Sequence, residues 1–125
     1  MSYARIRIAW PKGTLAAALE DTPTVRALLA ALPAKAKAQI WGEEVYFGMP
    51  VAAKLEAGAK QVVPPGTVCF WVEGDSLALP WGRTPLSEGK EPRLVGPCNV
   101  LGAIDGDPRQ LASVRSGDAI SVTVE

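Results

Sequence analysis

Short apolar runs separated by proline and glycine are the feature that most restricts the fold of this chain. Eleven prolines and twelve glycines are spread through its 125 residues. Because both residue types interrupt helices and strands, this pattern is typical of barrels and sandwiches built from many short strands. A chain of this length suits one domain and buries roughly two-thirds of its unfolded surface. The sequence therefore predicts a single, mostly-β domain over residues 1–125.

Alternating side chains predict a strand at each end of the chain. Apolar residues alternate with polar or small ones over residues 5–10 and again over residues 120–125. A strand with one buried face has this two-residue period. We expect the two terminal strands to be neighbours in a closed sheet, because closure removes exposed edges. Further strands are predicted over 35–40, 43–47, 67–73, 76–79 and 98–104, with a loop over 82–97.

One clear helix interrupts the strands. Thr22 fits the N-cap and Pro23 the first helical position, and the apolar residues of 25–32 follow helical spacing up to Pro33. Its apolar stripe needs a partner, so we expect the helix to pack against an open end of the barrel. A second, shorter helical turn is predicted over 107–111.

Charge and composition argue against several classes of partner. Thirteen basic residues balance thirteen acidic ones, without a lysine or arginine run. This gives no electrostatic reason to expect nucleic acid or an anionic membrane as a partner. The first residues lack the apolar core of a signal peptide and no run reaches transmembrane length, so we expect a cytoplasmic protein. Cys69 and Cys98 lie among apolar neighbours and are predicted to be buried free thiols.

The chain contains no histidine. Ser-His-Asp and Cys-His nucleophile systems are therefore excluded, as are most zinc and haem sites, and we expect no metal and no cofactor. Acid–base chemistry would depend on a carboxylate, tyrosine, lysine or thiol. Glu43 and Glu44 are adjacent on a predicted strand and point to opposite faces, so they cannot form a carboxylate pair. One of them could line a cleft; the alternative is that both face solvent.

Three segments taken together resemble a known family. They are Trp41–Phe47 followed by Pro50, Trp81–Ser87, and Asn99–Ile104 leading to the turn at 116–118. Their order and spacing resemble the cyclophilin-like family of small prokaryotic barrel proteins over nearly the whole chain. The resemblance implies a closed eight-stranded barrel with a helix at its ends. It implies little about activity, because this family has no assigned biochemical role and a fold does not carry a function.

The resemblance also implies that residues around these motifs line a cleft. Trp10 and Trp71 lie within strands and are expected in the core, whereas Trp41 precedes a possible bulge at Gly42. Hydroxyls in the second motif could bind a ligand or equally cap their own turn. The candidate ligand-binding residues are Glu44, Tyr46, Phe47, Trp81, Thr84, Ser87 and Asn99.

The leading hypothesis is a small-molecule or peptide binding protein with no established catalysis. The first alternative is an enzyme, either a residual prolyl isomerase or a lyase or isomerase with Glu44 as general base. The chain lacks the Phe-His-Arg and Gln-Gly-Gly-Asp stretches of true cyclophilins, which disfavours the isomerase, and catalytic residues stay unknown. The second alternative is a protein-interaction module. A homodimer is compatible with each of these functions.

Overall fold

The two terminal strands pair with each other. In the computed structural model, which describes residues 2–125, the first strand runs antiparallel to the last, with Ile8 opposite Val122. Both of these side chains are fully buried, as the two-residue period predicts. The elements in chain order are β1 (Ala4–Trp10), β2 (Gly13–Leu19), α1 (Pro23–Ala31), β3 (Ala34–Lys37), β4 (Gln39–Ile40), β5 (Glu44–Gly48), β6 (Lys60–Val62), β7 (Thr67–Trp71), β8 (Ser76–Pro80), β9 (Arg93–Ile104), a 3-10 helix (Pro108–Ser113) and β10 (Ala119–Val124).

The sheet is antiparallel and curls into a nearly closed barrel. Its strand order is β3-β10-β1-β2-β9-β7-β8-β5-β4, and β6 pairs with β9 outside this path. The two strands at the ends of the order are consecutive in the chain and separated only by Ala38, so the edges of the sheet meet. The mostly-β barrel is confirmed. Residues 2–125 form ten strands, or nine if β3 and β4 are counted as one divided strand, rather than the expected eight, and β6 is an additional short strand.

Strands β2 and β6, and the first part of β9, lie where the sequence pattern predicted no strand. β2 is rich in alanine, a weak strand former, yet it pairs with β1 over its full length from Gly13 to Leu19. β9 begins at Arg93, inside the segment predicted to be a loop. These strand segments depend on pairing with a neighbour, which overrides the local preference of their residues.

The helix and the helical turn begin where their capping residues predict. The Thr22 hydroxyl accepts a hydrogen bond from the Val25 amide at 3.1 Å. Val25 and Leu28 are fully buried in the main core of the barrel. The Asp107 side chain caps the 3-10 helix in the same way. No helix among residues 2–125 combines the length and apolar character needed to span a membrane.

Three neighbouring strands, β5, β7 and β8, are buried on both faces. Their inner face contributes Phe47, Phe70 and Leu77 to the main core. Their outer face contributes Cys69 and Ala78 to a second, smaller core that also contains Val63, Leu94 and Cys98. Val63 lies just after β6, and Leu94 and Cys98 lie in the first part of β9, so β6 and the start of β9 form an arm over the outside of the barrel. The space beneath this arm is where the candidate site lies.

Candidate functional site

A pocket opens on the outer face of β5, β7 and β8, beside the arm formed by β6 and β9. Its cavity volume is about 120 Å³. For comparison, an engineered protein cavity of about 150 Å³ holds benzene. The pocket therefore suits a compact group of about six heavy atoms rather than a whole large ligand. Its lining is aromatic or apolar except for one carboxyl group and one thiol: Trp41, Glu44, Tyr46, Trp71, Ala78, Leu94, Val95 and Cys98.

Strand register brings the central residues of the pocket together. Successive side chains of a strand point to opposite faces, so Glu44 and Tyr46 share the outer face of β5. Tyr46 lies opposite Ala78, which in turn lies opposite Cys69 on β7. Trp71 is two residues beyond Cys69 and therefore on the same face. The rings of Tyr46 and Trp71 meet edge to face, with centroids 6.1 Å apart and planes at 87°.

Trp41 is positioned by the turn between β4 and β5. Gly42 in this turn has φ of +60°, and a Cβ there would lie 2.9 Å from the Arg83 carbonyl oxygen. A side chain at this position would therefore be both strained and crowded. The Trp41 amide donates a hydrogen bond to the Glu44 carbonyl at 3.0 Å, which closes the turn. Glycine thus permits the tight hairpin that carries Trp41 to the pocket, where the sequence suggested a bulge.

The turn that follows Trp71 packs against its indole ring. β7 ends at Trp71 and β8 begins at Ser76, so the turn comprises residues 72–75 and is wider than the expected Gly74-Asp75 pair. A Cβ at Gly74 would lie 2.3 Å from the Trp71 ring. The absence of a side chain at Gly74 therefore allows the turn to pack directly on the indole. Trp71 lines the pocket and is only partly buried, whereas the sequence pattern placed it in the core.

Glu44 is the chemically distinctive residue of the pocket. Its exposed fraction is 6%, and its Oε1 atom has no hydrogen-bond partner among residues 2–125. Loss of hydration disfavours the charged form, so burial raises the pKa of Glu44 to about 7. Near neutral pH the carboxyl group can therefore exchange a proton, or ionise if a partner stabilises its charge.

The two cysteines are buried among apolar side chains and do not form a reactive centre. Both are free and buried, as predicted. The Cys98 thiol donates a hydrogen bond to the Gly96 carbonyl oxygen at 3.4 Å, and burial raises the pKa of Cys98 to about 12. Burial raises the pKa of Cys69 still further. Because the thiolate is the nucleophilic form, neither side chain is activated at neutral pH.

Asn99 lies on the opposite face of β9 from the pocket. Its neighbour Cys98 lines the pocket, and alternation turns the Asn99 side chain the other way. The fully buried Asn99 amide group donates to the Thr24 hydroxyl at 3.0 Å and to the Lys54 carbonyl at 2.9 Å. Its oxygen accepts from the Glu56 amide at 2.7 Å. Asn99 therefore fastens the segment between β5 and β6 to helix α1.

The hydroxyls of the Thr-Pro-x-Ser segment bind their own loop. The Thr84 amide donates to the Ser87 hydroxyl at 2.9 Å. The Thr84 hydroxyl donates to the Arg93 carbonyl oxygen, and the Ser87 hydroxyl donates to that of Glu91. This network closes the loop that precedes β9 and fixes the point where that strand begins.

The remaining predicted residues pack into the main core. Phe47 is fully buried inside the barrel, and the partly buried Trp81 packs against the same core. Of the seven predicted ligand contacts, the structure brings Glu44 and Tyr46 together in the pocket. Ligand contact by any of the seven stays a prediction. Residues 2–125 contain no group of three or more His, Cys, Asp or Glu side chains placed to hold a metal ion.

The sequence pattern did not place the other six lining residues in the site: Trp41, Trp71, Ala78, Leu94, Val95 and Cys98. The two-residue spacing puts Trp71 on the same face as Cys69, but no local pattern shows that this face meets a pocket. The signal for Leu94 and Val95 was absent, since they lie between Pro92 and Pro97 in a stretch that reads as a loop. Only pairing with β6 makes this stretch a strand.

Comparisons with known proteins agree with this architecture. The cyclophilin-like family model matches residues 4–123. The solution structure of a hypothetical protein, AF2241 from Archaeoglobus fulgidus, superposes with a TM-score of 0.84 at 35% sequence identity. The match covers 98% of this chain and 95% of that one. No curated protein matches the chain.

Proposed function

The chain belongs to the cyclophilin-like family, a relationship that fixes its fold but no activity, and on that premise we propose that it binds a small molecule or peptide in the Glu44 pocket. The observation that carries this proposal is the unpartnered Glu44 Oε1 atom at the wall of an aromatic cavity. Buried polar atoms in folded proteins normally have a hydrogen-bond partner. A ligand group in the pocket would supply the one that Glu44 lacks.

The construction of the pocket also supports binding. Ligand sites are mostly apolar concavities with a few placed polar groups, and they are largely formed before the ligand arrives. Here strand register fixes Tyr46 and Trp71, and a glycine-dependent hairpin fixes Trp41. The binding geometry therefore needs little ordering when a ligand enters, which reduces the entropy lost on association.

The proposal is tested by blocking the mouth of the pocket. Val95 lines the pocket and is 54% exposed, so Val95→Trp would fill the opening without disturbing the core. Val62 on β6 is 42% exposed and does not line the pocket, which makes Val62→Trp a matched control. Ligand-observed NMR with a library of metabolites and proline-containing peptides would identify ligands of the wild-type protein.

We expect Val95→Trp to weaken binding of these ligands by roughly tenfold or more, which corresponds to about 1.4 kcal/mol. Val62→Trp should bind as the wild type does. Circular dichroism would establish that both variants fold. Ligands that bind both variants equally would locate binding elsewhere, and a library without a single ligand would contradict the proposed function.

An enzyme that uses the same pocket is the second candidate. The observation in its favour is the Glu44 carboxyl group, whose pKa of about 7 suits a general acid or base. Each ligand found by NMR would be incubated with the wild type and with Glu44→Gln, and cis–trans exchange of proline peptides would be measured in parallel. Turnover that Glu44→Gln abolishes while the ligand still binds would support catalysis. Ligands that stay chemically unchanged would leave binding as the function.

A further inference from the structure

The pocket contains an acidic group without a positive partner. Glu44 Oε1 has no hydrogen-bond partner, and no ion pair among residues 2–125 involves this side chain. The pocket lining contains neither lysine nor arginine. A buried carboxylate is costly unless it is paired or protonated. No residue that lines the pocket therefore supplies a positive charge to pair with the Glu44 carboxylate.

The aromatic walls favour the same sign of charge. The faces of aromatic rings carry negative potential and attract cations, tryptophan most strongly. Trp41, Tyr46 and Trp71 all line the pocket, and the last two stand at right angles to form a corner. An anion would be repelled by the ionised Glu44 carboxylate and by any ring face that it met. A neutral apolar group would leave the carboxyl group unsatisfied.

From this combination we infer that the ligand carries an organic cation, an ammonium or guanidinium group, that the pocket holds between its aromatic rings and the Glu44 carboxylate. This inference rests on the proposed binding function and names the chemical class of the ligand. The cavity of about 120 Å³ matches such a headgroup with its substituents. The cation belongs either to a free amine or to a lysine or arginine side chain of a peptide.

Binding of a cation should be linked to release of a proton. The titratable groups that line the site with Glu44 are Tyr46 on the same strand and Cys98 on β9; Cys69 on β7 lies in the core behind, and Glu73 lies in the turn before β8. Both thiols stay protonated because burial raises their pKa values. Glu44 must ionise to pair with the cation. With a pKa of about 7, affinity should be about tenfold weaker at pH 6 than at pH 8.

The experiment compares a cation with its neutral isostere. Choline and 3,3-dimethylbutan-1-ol have the same shape and differ in charge, so binding of both would be measured at pH 6 and pH 8 and constant ionic strength. Chemical shifts of the tryptophan indole groups report where the ligand binds. Trp41 and Trp71 line the pocket, whereas the Trp10 indole donates a hydrogen bond to the Ser113 hydroxyl elsewhere. Acetylated arginine and lysine amides form a second arm that distinguishes a peptide side chain from a free amine.

Two variants separate a local from a general charge effect. Glu44→Gln removes the pocket charge, and Glu73→Gln removes an exposed charge close enough to act on Cys98. We expect choline or the amino-acid amides to bind at pH 8 at least about tenfold more tightly than the neutral isostere. Glu44→Gln should reduce this preference to the part that the aromatic rings supply and should abolish its pH dependence, and Glu73→Gln should keep both.

The outcomes distinguish failure of the inference from failure of the proposed function. Equal affinity for choline and its isostere, or neutral library ligands that Val95→Trp excludes while all cations fail, would overturn the cation inference and leave the binding pocket. The absence of every ligand would overturn both. The isostere pair and the pH series use the wild-type protein, so the test stands even if Glu44→Gln does not fold.

Discussion

Replacement of Glu44 by glutamine should change how the stability of the protein depends on pH. Burial raises the pKa of Glu44 from an ordinary 4.5 to about 7 in the folded protein. Between these values the folded chain binds a proton that the unfolded chain has released. The stability that the protonated Glu44 contributes is therefore fully present below pH 4.5 and is lost as the pH rises through 7. Glutamine has no charge at any pH and should not show this loss.

The size of the effect follows from the pKa difference. The interval from 4.5 to 7, at about 1.4 kcal/mol per pH unit, corresponds to a loss of about 3 kcal/mol in the free energy of unfolding. Between pH 4.5 and pH 8, the free energy of unfolding of Glu44→Gln should thus rise by about 3 kcal/mol relative to that of the wild type. For a domain of this size, that is a change on the order of 10 °C in Tm.

Urea denaturation followed by tryptophan fluorescence would measure this difference across the pH range. The absence of histidine means that no imidazole titrates in the same window. Any fixed cost of burying the glutamine amide is independent of pH. The quantity to compare is therefore how the difference between the two free energies of unfolding changes with pH. Glu73→Gln, at an exposed position, controls for the loss of one charge. Wild-type and Glu44→Gln curves that remain parallel from pH 5 to pH 8 would show that water reaches the carboxylate and that the reasoning is wrong.

Three further predictions concern the parts that support the pocket. Asn99→Ala leaves several buried hydrogen-bonding groups unpaired and should lower stability by roughly 2–4 kcal/mol in urea denaturation, without weakening a pocket ligand; weakened binding in a folded variant would place Asn99 in the site. Gly42→Ala forces alanine to φ of +60° against the Arg83 carbonyl and should cost about 1–2 kcal/mol and alter the environment of Trp41 in fluorescence or NMR spectra. An unchanged Tm would show that the hairpin relaxes freely. The Cys69 and Cys98 thiols should react with Ellman's reagent only after denaturation, because both are buried and burial holds the pKa of Cys98 at about 12; rapid reaction of the native protein would indicate an open arm.

A local pattern in the sequence was sufficient to predict an element where one of its faces meets solvent or where a cap marks its start. β1 and β10 show the two-residue period, and they pair in the structure. Helix α1 begins at its Thr22 cap. The same alternation placed Glu44 and Tyr46 on one face of β5, since neighbouring side chains point in opposite directions. These features depend on residues close together in the chain.

The tertiary structure decided everything that depends on a strand having two buried faces. β8 is buried at all five positions, so its apolar run has no period from which a face could be read. The outer face becomes a pocket only because β6 and the start of β9 fold over it, although proline-bounded residues 93–97 read as a loop. Trp71 therefore lies in the pocket wall and not in the core where it was expected, and Asn99 lies on the far side of β9 from the pocket. The sequence determines which side chains share a face, but long-range pairing decides what that face meets.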